Sequence, residues 1–295
     1  CGNIVGACLN SCMIICAGFH EGSIRLDKLI VQAGKYIRES KDYGKLYFVP
    51  SIRNFRQLAM NLARRSQEPS LLEGDEIPNL PQYVASLDES THRYCIGLMM
   101  QLALHFWDFD RALKYANAYK KVEQDDQPMY MVILNQFWRA LIFTNLHELN
   151  GKKSMKRRAR REYKKIVVSM KKGMKNTKCF VKILEADMGA RCGDLNYKDA
   201  QRLYDDAIAE TEVAGFRQYV ALARERAGSY FAGIEETKCD IIAKDYLTRS
   251  LQGYSDWGAL RKVAFLRQRF SFILGADRQN RSGSYSSSTS ANLFI

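Results

Sequence analysis

Apolar residues recur along this chain at steps of three and four, the spacing that puts them on one side of an α-helix. Residues 3–18 read as an apolar helix, and Ser23 to Glu39 as an amphipathic one buried through Ile24, Leu26, Leu29, Ile30, Ala33, Tyr36 and Ile37. Tyr43 to Phe48 is a short apolar piece ended by Pro50, and Ser51 is the expected cap of a helix carrying Phe55, Leu58, Ala59, Leu62 and Ala63. From Ser66 to Glu89 the periodicity fails, and Pro69, Gly74, Pro78 and Pro81 predict a long loop. Helices resume at Ser90. His92 to His105 is apolar on most sides and is expected inside, and Met129 to Leu149 is a long apolar helix closed by Asn150-Gly151.

A repeat underlies the second half. Ala112-x3-Ala116-x2-Tyr119, Ala159-x3-Tyr163-x2-Ile166, Ala200-x3-Tyr204-x2-Ala207 and Ala243-x3-Leu247-x2-Ser250 share one spacing, their alanines 47, 41 and 43 residues apart. A period in the forties belongs to helical repeats, in which a pair buries its apolar face only by stacking on its neighbours. The expected fold is therefore all-α, a tetratricopeptide-like solenoid of antiparallel helix pairs. Its expected parts are N-terminal helices over 1–64, a loop over 65–89, the repeat region over 90–275 and a Ser-rich tail or linker over 276–295.

Charge changes the picture at one place. Of the net +13, nearly all arises between Lys152 and Lys178, where thirteen Lys and Arg accompany a single acid, Glu162. Met155, Ala159, Tyr163, Val167, Met170 and Met174 mark the inner side of this stretch. Lys156, Arg157, Arg160, Arg161, Lys164 and Lys165 form the outer side, the candidate surface for a partner. A solvated repeat face, an acidic protein segment, a calmodulin-like or membrane-surface contact, and nucleic acid or nuclear targeting are the readings of such a face. The last is opposed by the lack of aromatics between the bases, apart from Tyr163, which the register buries.

Other chemistry is sparse. No phosphate-binding loop or dinucleotide fingerprint occurs, and His20, His92, His105 and His147 lie far apart. Cys8, Cys12 and Cys16 share a helical face, but a zinc site needs a second pair or histidines downstream, so they read as core. A site combining His92, His105 and Glu185 is the arrangement that would make the chain an enzyme. The expectation is no catalytic, cofactor or metal site. The apolar run over residues 1–19 lacks a basic leader, is broken by Asn3, Asn10 and Ser11, and reads as too short to span a bilayer. The expected location is the cytoplasm, with the nucleus open through the basic run. A start at Cys1 reads as a segment of a longer or processed chain.

Gly215-Phe216, Ala221-x3-Glu225, Tyr230-Phe231, Tyr254-x2-Trp257-Gly258-Ala259 and Lys262-Val263 together resemble one known region. Leu184-Glu185-Ala186 with Gly193-Asp194, and Gln67-x-Pro69 with Leu72-Glu-Gly74, add to the likeness. The region is the tetratricopeptide-like segment of very large signalling proteins. There a kinase-like module and a STAND-type predicted ATPase come before it, and a GAF sensor and histidine kinase after it. The resemblance implies a non-catalytic connector whose partners are flanking modules or other proteins. Two departures are Arg224 before Glu225 and the missing proline after Phe270.

Overall fold

The computed structural model describes residues 3–64, 68–123, 129–193 and 195–275, and every regular element among them is helical. The first group is α1 (Ile4–Glu21), α2 (Leu26–Asp42) and α3 (Val49–Ala63), followed by the short α4 (Leu80–Ala85). Four pairs come next: α5 (Glu89–His105) with α6 (Phe109–Val122), α7 (Met129–Asn150) with α8 (Lys153–Lys171), α9 (Lys178–Cys192) with α10 (Tyr197–Val213), and α11 (Arg217–Phe231) with α12 (Thr237–Trp257). The chain continues through α13 (Leu260–Arg269) and α14 (Ser271–Leu274).

The helix starts follow local chemistry. Asn3, Asn79, Asp88, Asp108 and Asn196 each accept a backbone N–H of the first turn with a side-chain oxygen. Ser51 is not the cap expected of it: α3 begins two residues earlier, and Pro50 sits in its first turn. A proline there loses no helical bond, because the first N–H groups have no partner inside the helix anyway. The same reason lets Pro81 open α4 inside the expected loop. Trp257-Gly258-Ala259 is a junction: Gly258 at φ +88 caps α12 in the left-handed conformation, and Ala259 is the N-cap of α13.

Within the pairs, the second helix buries the repeated alanine. Ala112, Ala159, Ala200 and Ala243 are all at 0% exposure. Helices α11 and α12 approach closely through small residues. A methyl on Gly228 would meet Leu247 at 2.7 Å, one on Gly253 would meet Ala221 at 3.0 Å, and Ser250 Oγ donates to the Ala221 carbonyl at 2.8 Å.

The first helices of the pairs adjoin in order, α5 to α7 to α9 to α11, and the ends of the array then meet. Helix α11 touches α1, α13 packs on α3, and α3 packs on α5. Gln218 Nε2 donates to the Phe19 carbonyl at 2.6 Å, and the Phe19 ring sits 5.3 Å from that of Trp257. One core runs from Ile15 to Phe270, so residues 3–64 and 90–275 share a single interior. Helix α1 also alters an expectation: with 18 residues and mean hydropathy 1.4 it is long and apolar enough to cross a bilayer by length and composition. Its C-terminal part nevertheless lies against protein, with Ile15, Gly18, Phe19 and His20 buried. The expected tail over 276–295, Gln67, Asp194 and Cys1 fall outside the described residues.

Candidate functional site

Helix α8 is the outer member of its pair, held to α7 and α9. Ala159, Glu162 and Ile166 form its buried line, while Met155, Tyr163, Val167 and Met170 flank it half-buried. The burial of Glu162 is not what the sequence pattern suggests. Its carboxylate accepts from Arg139 Nη2 of α7 at 2.9 Å, both side chains being 3% exposed, and lies 3.4 Å from Lys165. Glu123, past the end of α6, joins the cluster through Lys120, Arg139 and Lys165. Burial pushes the Glu123 carboxyl up, but these three cations outweigh it and hold the group below its ordinary value.

The six residues of the predicted basic face therefore divide. Arg157, Arg160, Arg161 and Lys164 are exposed and carry no ion pair among the described residues. Lys165 is drawn inward to Glu123 and Glu162, and Lys156 donates to the Cys192 carbonyl at the end of α9. A cation bound to the last carbonyls of a neighbouring helix completes that helix rather than awaiting a ligand. Arg158 also turns inward, its guanidinium 4.0 Å from the Phe143 ring centre and bonded to Asn117 Oδ1 at 2.6 Å. What stays outside is a line at helical spacing, Lys153, Arg157, Arg160 and Lys164, continued by Val168 and Lys171.

The start of α8 adds to this field. No acid lies in its first turn and Lys152 gives no side-chain cap, so Lys152 and Lys153 sit at the positive end of the helix dipole. That arrangement is unfavourable by roughly 0.3–1 kcal/mol per charge at an exposed end.

Several other titratable groups are occupied with structure. Cys16 Sγ lies 2.9 Å from Tyr94 Oη, and burial pushes the Cys12 and Cys16 thiols up to about 12 and about 11. Thiols raised by burial in this way stay protonated at neutral pH. His105 and Glu185 are not brought together. His105 is buried against Trp138 and Tyr254, whereas Glu185 accepts from Tyr163 and Lys182. His92 is half-buried on α5.

Two buried ionic centres went unread in the sequence. At the first, Asp187 accepts from Arg226 Nε at 2.9 Å, Arg191 Nε at 2.9 Å and Tyr204 Oη at 3.0 Å. At the second, Glu225 accepts from Lys262 Nζ, Trp107 Nε1 and Tyr254 Oη, each at 2.7 Å, and Lys262 also donates to the His105 carbonyl. Burial raises the Glu225 carboxyl, but Lys262 and these hydrogen bonds keep it below the usual carboxylate range. Trp107 holds its bond from φ +57, a left-handed conformation rare for a bulky residue. Glu225, Tyr254 and Lys262 all belong to the motifs that carry the family resemblance, and here they join α11, α12 and α13 to α5.

No protein-family model, curated protein or solved structure matches this chain. The residues themselves define an all-helical protein with an outward basic stripe on α8.

Proposed function

We propose that this chain is a non-catalytic helical-repeat segment of a multidomain signal-transduction protein, and that it engages an acidic protein segment along the outside of α8. The observation that carries the reading is the line Lys153, Arg157, Arg160, Arg161 and Lys164, without ion pairs among the described residues and left over after Lys156, Arg158 and Lys165 have turned inward. A merely solvated helix face gains by interleaving acids at i and i+4, and by placing them in its first turn. Helix α8 has neither on its outer side. Exposed Val168 within the line fits contact with a protein better than with a phosphate backbone.

The tetratricopeptide-like repeat is part of the same proposal. Supporting it are the four buried alanines in register and the adjoining first helices of successive pairs. Placement beside a STAND-type ATPase and a histidine kinase rests on the sequence resemblance, and would make the segment a relay between a nucleotide-driven switch and an output module. A free-standing basic adaptor that binds an acidic protein or nucleic acid through residues 152–178 is the alternative, and its nucleic-acid form is the competing outcome of the test.

The test is binding of a fluorescent acidic peptide and of a single-stranded oligonucleotide at several salt concentrations, with the R157E/R160E/R161E variant alongside. The proposal expects peptide binding that weakens as salt rises and is lost in the variant. Tighter oligonucleotide binding, with the steep salt slope of counterion release, would move the assignment to nucleic acid. Binding of neither would remove α8 as a partner site.

A further inference from the structure

The outer side of α6 lies beside that of α8, and two contacts fix how they align. Arg158 Nη2 donates to Asn117 Oδ1 at 2.6 Å, and Lys165 Nζ lies 3.7 Å from Glu123 just past the end of α6. The two helices therefore run side by side in the same direction, with Lys121 level with Arg161. On α6 the exposed side carries Lys114, Asn117, Lys120 and Lys121. Glu123 holds Lys120, whereas Lys114 and Lys121 have no ion pair among the described residues. Asp110, the acid of this helix, sits in its first turn, below Lys114. At about 100° per residue, Lys114 and Lys121 fall within roughly 60° of Asn117, so both stand outward next to α8.

Two rows of free cations thus wall a shallow channel, crossed at its floor by the Arg158–Asn117 bond. The next outer helix on the other side, α10, has the opposite character. Lys198 and Arg202 are confined to its first two turns, and Asp205, Asp206 and Glu212 are exposed beyond them. An acidic segment on α8 is therefore drawn towards α6 and repelled from α10. The floor decides the form of that segment. A docked helix needs an apolar bed for its own apolar face, and a guanidinium bonded to an amide offers none. An extended chain sends successive side chains to opposite sides, so consecutive acids reach both walls at once. Lys114 to Lys121 and Arg157 to Lys164 each span about 10 Å of helix, the length of about four or five extended residues.

We infer that the channel between α6 and α8 takes an extended run of about five consecutive acidic residues from a partner protein. Lys114 and Lys121 hold it from one wall, and Arg157, Arg161 and Lys164 from the other. This rests on the reading of α8 as a site for an acidic protein segment, and adds to it the second wall and the form of the partner.

The experiment is fluorescence anisotropy on the full chain with two labelled peptides of equal charge. One carries five consecutive Glu and Asp residues, and the other is an alanine-based helix with five Glu at steps of three and four. The inference expects the consecutive peptide to bind about fivefold more tightly or better. It expects K114E/K121E to weaken that binding by roughly tenfold or more, and the charge-matched K238E/K244E on α12 by at most about twofold. Circular dichroism checks that the variants fold. If K114E/K121E does no more than K238E/K244E while R157E/R161E abolishes binding, the α6 wall is overturned and the α8 reading stands. Equal or tighter binding of the helical peptide overturns the extended form. If neither peptide binds, or R157E/R161E changes nothing, the α8 reading falls and this inference falls with it.

Discussion

Arginine, lysine and glutamate do opposite work in two parts of this molecule. Between α11 and α13, Glu225 meets Lys262, and between α9 and α11, Asp187 meets Arg226 and Arg191, each carboxylate closed by cations and tyrosine hydroxyls inside the core. On α8 the bases outnumber their acids, so Glu162 and Glu123 take the inner cations and the outer row is left to solvent. Charge whose count is closed in the interior is architecture; charge in excess on a convex helix is available for association.

The contrast can be broken hardest at Glu225. E225Q leaves the Lys262 ammonium, 0% exposed, without its counter-charge and should cost about 3–5 kcal/mol in denaturant unfolding. Adding K262M should return much of that loss, since an apolar pair needs no compensation. If the double variant is no more stable than E225Q, the pair is not what joins α13 to the core.

Next in size, counted per pH unit, is the acid response of the two buried histidines. Burial lowers both His20 and His105 from 6.5 to about 3. Their contribution is complete above pH 6.5 and is lost as pH falls from 6.5 toward 3, because the unfolded chain takes up the proton first. Each should remove about 1.4 kcal/mol per pH unit well inside that window. An H20F/H105F variant should flatten stability plotted against pH between about 6 and 4.

Smaller again is E162Q, which weakens the contact to Arg139 while Glu123 remains, an expected loss of about 1–3 kcal/mol by thermal unfolding. Smallest is R157E/R160E/R161E, each substitution expected within about 0.5 kcal/mol of neutral. A large destabilisation there would mean that the outer row is architectural too, and the contrast would fall.

Helix type and most of the core could be read from the chain because both depend on local spacing. Ala112, Ala159, Ala200 and Ala243 were found by period alone, and all four lie at 0% exposure. The outward set Arg157, Arg160, Arg161 and Lys164 follows from the same wheel. Lys156 and Lys165 sit on that wheel too, yet the carbonyl of Cys192 and the carboxylate of Glu123, each more than thirty residues away in sequence, draw them in. Glu162 was readable only as a lone acid, because nothing local announces that Arg139 of the preceding helix will be buried beside it.

The amino-acid order thus determined an all-helical chain, its alanine register and the placing of its excess charge, since each arises within a few turns of one helix. Tertiary structure decided that the first helices meet the last, that Glu225 and Asp187 become centres of the core, and that α1 keeps an apolar face outward. Those outcomes depend on which distant groups share a volume, and pairing between groups far apart along the chain leaves no periodic trace in the sequence.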